Sequence, residues 1–131
     1  MSEKFEILNL ELKVGETLKL KGKLPSDAKS FSFNLGSGPS DIGLHFNPRL
    51  SENVIVCNSK SSNSWESEER SSLMCFTPGA DAKVSIKFGD GNFEVKLPDG
   101  HEISFPNRHG YDKITYLSVK GDFKVTSFKY E

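Results

Sequence analysis

The sequence predicts an all-β fold in which two antiparallel sheets pack into a sandwich. Three observations predict it. Short runs alternate apolar and polar residues with a period of two. Glycine, proline, aspartate and asparagine punctuate those runs at short intervals. No stretch carries the three-to-four-residue apolar spacing of an amphipathic helix.

Taken along the chain, Phe5 to Leu12 is strand-like. Thr17 to Leu24 sets Leu18, Leu20, Gly22 and Leu24 against Lys19, Lys21 and Lys23, so one face is apolar and the other polar. Ser30 to Leu35 alternates Phe31, Phe33 and Leu35 with Ser32 and Asn34. The Gly36-Ser37-Gly38-Pro39-Ser40-Asp41 run is a loop. Ser59 to Ser72 is rich in Ser and charge and reads as a solvated strand or loop. Thr77-Pro78-Gly79 is a second loop, and Ala82 to Phe88 alternates Val84, Ile86 and Phe88 against lysines and serine. Gly89-Asp90-Gly91-Asn92 and Pro98-Asp99-Gly100 carry residues that tolerate positive φ, each between two strand-like runs. Phe123 to Tyr130 closes the chain as another strand.

The 131 residues suit one domain, 1–131, and the ten Phe among 35% hydrophobic residues supply its core. The net charge is −1 with both signs interspersed. No basic stripe stands out along the chain, so nucleic-acid binding is not expected. No apolar run is long enough for a membrane span, so membrane insertion is not expected either. Met1-Ser2-Glu3-Lys4-Phe5 lacks an apolar leader, no Asn-x-Ser/Thr site occurs, and Cys57 and Cys75 are expected to stay reduced. These features predict a cytoplasmic product, with export open to it by a route that needs no signal peptide. No His, Cys or carboxylate spacing suits a metal, and no cofactor is expected. Nor does anything beside either Cys suggest thiolate activation.

Most of the chemistry lies between His45 and Arg70. As a strand, His45-Phe46-Asn47-Pro48-Arg49 projects His45, Asn47 and Arg49 from one face and Phe46, with Leu44 and Ile42, from the other. Pro48 cannot donate to a ladder, which predicts a bulge or irregularity there. In Asn53-Val54-Ile55-Val56-Cys57-Asn58, Ile55 and Cys57 turn to the core while Val56 and Asn58 share the outer face. Trp65, the only tryptophan, sits in a polar stretch, and Glu68 and Arg70 share a strand face. Strict alternation puts Trp65 on the opposite face from Glu68, so a single site requires a bend between them. Such a set suits a sugar with an apolar C–H patch and a rim of hydroxyls. Trp supplies the flat surface, Asn and His both donate and accept, and Arg offers fixed donors that Glu holds in place. With no charge to neutralise, affinity for a disaccharide should be weak, roughly 10 μM to 1 mM.

These residues resemble the galectin family. Its marks are His-x-Asn-x-Arg, then an Asn after an apolar run, then Trp-x-x-Glu-x-Arg; here they are His45, Asn47, Arg49, Asn58, Trp65, Glu68 and Arg70. The flanks match as well, in Leu97-Pro98-Asp99-Gly100, Phe105-Pro106-Asn107-Arg108 and Gly121-Asp122-Phe123. The short loop before Asn58 and the Leu-Pro-Asp-Gly-His run are similar to the family's second vertebrate type. The resemblance implies a jelly-roll sandwich of the prototype, single-domain kind that binds β-galactosides, such as lactose and N-acetyllactosamine, on glycoproteins or glycolipids. It implies that His45, Asn47 and Arg49 take the axial galactose hydroxyl and that Asn58 and Glu68 take the hydroxymethyl oxygen. Trp65 would stack, and Arg70 would serve the glucose or N-acetylglucosamine side. It also implies a homodimer through the terminal strands, able to cross-link glycans.

Two departures bear on the groove. Leu50-Ser51-Glu52-Asn53 is shorter than the loop of many galectins, leaving Glu52 as the supporting partner for Arg49 or Arg70. Glu66 stands where Gly is usual, and is expected to crowd or recharge the rim and so tune binding. Catalysis is the first rival. A glycosidase needs two separated carboxyl groups, one of them a general acid. Glu66 and Glu68 are expected side by side on one strand face, and Arg70 beside Glu68 suits a general acid poorly. The second rival is a protein-interaction or structural module of the same fold with weak or no sugar binding. His101 and His109 read as ordinary loop residues.

Overall fold

The structure is a computed structural model describing the backbone of residues 3–131 and the side chains of residues 5–131. Met1 and Ser2, part of the segment read above as lacking a leader, lie outside them. In chain order the strands are β1 (Glu3–Ile7), β2 (Leu12–Lys13), β3 (Thr17–Lys23), β4 (Phe31–Gly38), β5 (Asp41–Arg49), β6 (Val54–Ser61), β7 (Ser64–Trp65), β8 (Glu69–Ser71), β9 (Asp81–Phe88), β10 (Asn92–Lys96), β11 (Glu102–Pro106), β12 (Lys113–Ile114), β13 (Tyr116–Gly121) and β14 (Lys124–Tyr130). One sheet runs β1-β13-β4-β5-β6-β7, with β8 also on β6; the other runs β11-β10-β9-β3-β14; β2 and β12 form a short ribbon. All pairings are antiparallel. The all-β expectation therefore holds. No helix among the described residues is long and apolar enough to cross a membrane.

The period-two pattern becomes burial. Leu18 and Leu20 of β3, Val84 and Ile86 of β9, and Phe33, Leu44 and Phe46 of β4 and β5 all face inward and are fully buried. At the centre, Phe31 meets Phe123 and Phe76 with ring centroids 5.0 Å apart, and Phe123 meets Phe33 edge-on at 5.0 Å. Each such ring contributes about 1.5–3 kcal/mol of burial. Gly22 makes that centre possible, because a Cβ there would lie 2.3 Å from the Phe123 ring and 2.5 Å from the Lys124 carbonyl oxygen.

The expectation of an irregular strand at Pro48 holds on the β4 side alone, as a gap in the ladder and not a bulge. Across β5 and β6 the register is continuous from His45↔Asn58 to Arg49↔Val54, with Pro48 opposite Ile55; the shift lies upstream, between Ile42 and His45. On the β4 side, the pairs Phe33↔Phe46 and Ser30↔Arg49 bracket Phe31 and Pro48. Pro48 has no N–H, and the Phe31 carbonyl accepts instead from the Asn47 side chain, 2.7 Å away. A side-chain amide thus replaces a ladder bond, and β5 keeps its register on β6 along the row of polar groups.

Candidate functional site

The register places the candidate residues in adjacent rows. Asn34, His45 and Asn58 lie side by side across β4, β5 and β6. Asn47, Val56 and Arg70 form the next row across β5, β6 and β8, and Arg49 stands opposite Val54. Leu50–Glu52 forms one turn of 3₁₀ helix, and Asn53 closes it in the left-handed conformation (φ 57°, ψ 42°) that asparagine tolerates, with its N–H bonded to the Leu50 carbonyl. This tight turn leads β5 back into β6 in register.

The bend that one site requires is present. β7 ends at Trp65 and β8 begins at Glu69, so Glu66 to Glu68 run outside any strand. Trp65 and Glu68 therefore both line one groove of about 460 Å³, together with His45, Arg49, Val56, Asn58 and Glu66. Asn47 lies beneath that rim, 9% exposed, and Arg70 stands at its outer end through Glu68. Trp65 is 50% exposed, leaving a large aromatic surface open on the groove. The His45 ring meets it at 4.6 Å, tilted by 51°, and the Lys60 ammonium sits 4.4 Å from its ring centre.

Hydrogen bonds fix each polar group. Asn34 donates Nδ2 to Ser118 Oγ at 3.2 Å and Ser32 Oγ at 3.3 Å, so its Oδ1 faces His45 Nδ1 at 2.6 Å. That oxygen can only accept, so Nδ1 carries the proton and Nε2 of a neutral His45 is left as an acceptor. Burial, reinforced by the Arg49 guanidinium, brings the His45 imidazole down to about 4, so it is neutral at pH 7. Asn47, already bound to Phe31, accepts Arg49 Nε at 2.9 Å. Glu68 Oε1 accepts Arg70 at 3.1 and 3.2 Å, while its other oxygen lies 3.9 Å from Arg49; Glu52 flanks Arg49 at 3.9 Å. Glu68 thus spaces two guanidinium planes, in a network whose exposed pairs each contribute little to stability.

Two expectations about the carboxylates and histidines are corrected. Glu66 and Glu68 do not share a strand face. Glu66 Oε1 accepts from Ser59 Oγ at 2.6 Å and His109 Nε2 at 2.8 Å, so its charge is tied down. The Ser59 hydroxyl and then His109 hold that carboxyl below its usual range. His109 is accordingly part of the site's support, where it also meets the Tyr111 hydroxyl at 3.2 Å. Sequence reasoning also missed Arg108 in this role. It donates to Ser59 Oγ at 3.0 Å and Asn58 Oδ1 at 3.5 Å while stacking on Phe105 at 4.6 Å. Asn58 in turn donates to the Glu66 carbonyl at 3.2 Å. Arg108 stood only in a matching flank, Phe105-Pro106-Asn107-Arg108, and His109 only in a loop, neither of which reveals what they touch. Among the described residues no cluster of three or more His, Cys, Asp or Glu could hold a metal ion.

The chain is 48% identical to Galectin-2 of Mus musculus over 131 residues, covering 100% of both chains. Its structure matches that of chicken Galectin 2 with a TM-score of 0.95 at 55% identity, covering 97% of this chain and 98% of that one. It matches CG-16, a homodimeric agglutinin from chicken liver, with a TM-score of 0.93 at 41% identity, covering 98% of this chain and 100% of that one. The family model described as galactoside-binding lectin matches residues 4–130, and the chain belongs to that family, the galectins.

Proposed function

We propose that the groove beside Trp65 binds terminal β-galactosides such as lactose and N-acetyllactosamine and leaves them chemically unchanged. The observation that carries this is a half-exposed Trp65 ring beside polar groups already locked to one another. In this reading His45 Nε2 accepts a hydroxyl hydrogen from the axial hydroxyl, and Arg49 and Asn47 address the same oxygen. Asn58 and Glu68 take the hydroxymethyl group, Trp65 stacks on the C–H patch, and Arg70 serves the second sugar. Val56 forms the floor between Asn47 and Arg70, and Glu52 steadies Arg49. Prior locking spares the ligand the entropy of ordering these side chains, so directional recognition of a neutral sugar becomes affordable in a shallow groove. Residues 1–131 act as one recognition domain. Calorimetric titration with lactose tests the reading, with saturable heat expected; silence from the folded protein would sink it.

The protein assembles, on this reading, as a homodimer. β1 and β14 do not pair with each other within the chain; they flank one end of the sandwich as the outer strands of their sheets, with Phe5 and Phe128 rings 5.7 Å apart. Two open edges side by side can extend both sheets across a two-fold axis. Two outward-facing grooves then cross-link glycans with gain from avidity. Sedimentation showing only monomer at micromolar concentration would refute it. A cytoplasmic product exported without a leader is supported by the unpaired Cys57 and Cys75, and fractionation of expressing cells and their medium tests it.

A further inference from the structure

A second concavity, of about 740 Å³, lies on the outer face of the five-stranded sheet, away from the groove beside Trp65. Lys19, Lys21, Lys83 and Lys96 line it, with one carboxylate, Asp81, at its edge and hydroxyls from Thr17, Ser85 and Thr126. The register explains the charge. Lys21 stands directly opposite Lys83, Lys19 opposite Lys129, and Lys23 between Lys124 and Asp81. Like charges on facing residues of neighbouring strands, about 5 Å apart at Cβ, are destabilising. This face holds three such pairs on a chain whose net charge is −1. Lys19 has a counter-ion in Glu131 at 3.8 Å; Lys21, Lys83, Lys124 and Lys129 have none among the described residues.

We propose that this face binds a sulfated polysaccharide chain. Four ammonium groups among hydroxyls, against a single carboxylate, match a polymer of sulfates and hydroxyls by charge and by hydrogen bonding. The lining fits other occupants less well. It contains no aromatic ring on which a nucleic-acid base could stack, no exposed large apolar side chain to enter a bilayer, and no Trp, Tyr or Arg anchor for a protein partner. Because the two concavities share no residue, the chain can hold a neutral galactoside end and a sulfated chain together.

Calorimetric titration with a heparin-derived octasaccharide tests this, on the full chain with and without saturating lactose. Binding at 50 mM salt should be unchanged by lactose and weaken at least about tenfold by 200 mM salt, as for a polyanion that displaces counterions from several lysines. The double variant Lys21→Gln/Lys83→Gln should lose at least about tenfold of it while its melting temperature does not fall and its lactose binding is kept. Competition by lactose, equal binding in the double variant, or no binding at 50 mM salt would each overturn the proposal. So would binding to phosphatidylserine vesicles or poly-glutamate that exceeds binding to the octasaccharide.

Discussion

On the outer face of β4, β5 and β6, Asn34 holds His45, Phe31 holds Asn47, Asn47 holds Arg49, and Glu68 spaces Arg49 from Arg70. On the outer face of β3 and β9, Lys21 and Lys83 face each other with no counter-ion among the described residues. Both faces are pleated antiparallel sheet with an apolar reverse side. The difference lies in where each polar group finds its partner. Groups bonded to one another keep a direction, which a neutral ligand with few hydroxyls requires. Ammonium groups left free keep only a field, which selects for charge and falls with salt.

The sharpest way to break this comparison is Trp65→Ala. It removes the aromatic surface and should weaken lactose binding by about 2–4 kcal/mol, the cost typical of a central anchor, as read by calorimetry. Unchanged affinity would remove the basis for placing the sugar beside Trp65.

Next comes acid. Free imidazole titrates near 6.5, whereas folded His45 titrates near 4. Between those values the unfolded chain holds more protons, so His45 makes the fold less stable as pH falls from about 6.5 toward 4, and has no such effect above. The loss should reach about 2–3 kcal/mol. Urea midpoints at pH 7 and pH 4.5 check it against His45→Gln, whose pH dependence should be shallower. Lactose binding should persist to pH 5 and fade near 4, where Nε2 gains a proton.

A smaller effect is expected from Arg108→Ala. Asn58 and Ser59 lose a donor behind the groove, and lactose should bind about threefold to tenfold more weakly, roughly 1 kcal/mol. Calorimetry and a melting curve together separate that from loss of fold. Smallest of all, Lys21→Gln should leave lactose affinity untouched and raise stability by a few tenths of a kcal/mol as the repulsion from Lys83 is relieved. A clear fall in the urea midpoint would show that the lysine face is not repulsive.

Alternation made the sandwich legible, since each of Leu18, Leu20, Val84 and Ile86 turned inward as its spacing indicated. The seven candidate binding residues were legible because three short motifs carry them, and five of the seven line one groove directly. The gap in the ladder at Pro48 was legible from its missing N–H, whereas the Asn47 amide that fills it was not. The strand face expected to hold Glu66 beside Glu68 is absent, because the strand ends at Trp65. Glu66 lines the groove, and its carboxylate is bonded to Ser59 and to His109, a partner 43 residues away along the chain.

By itself the sequence determined which side of each strand is apolar, which polar residues ride on the other side, and which family the chain resembles. These follow from a period of two and from short-range spacing, both of which are local. Only the tertiary structure decided that Trp65 and Glu68 meet in one groove across a bend, that Arg108 and His109 brace it from a distant loop, and that lysines from β3, β9, β10 and β14 gather on one face. Those outcomes depend on strand order and register, which pair residues far apart in the chain. No window of sequence contains that pairing.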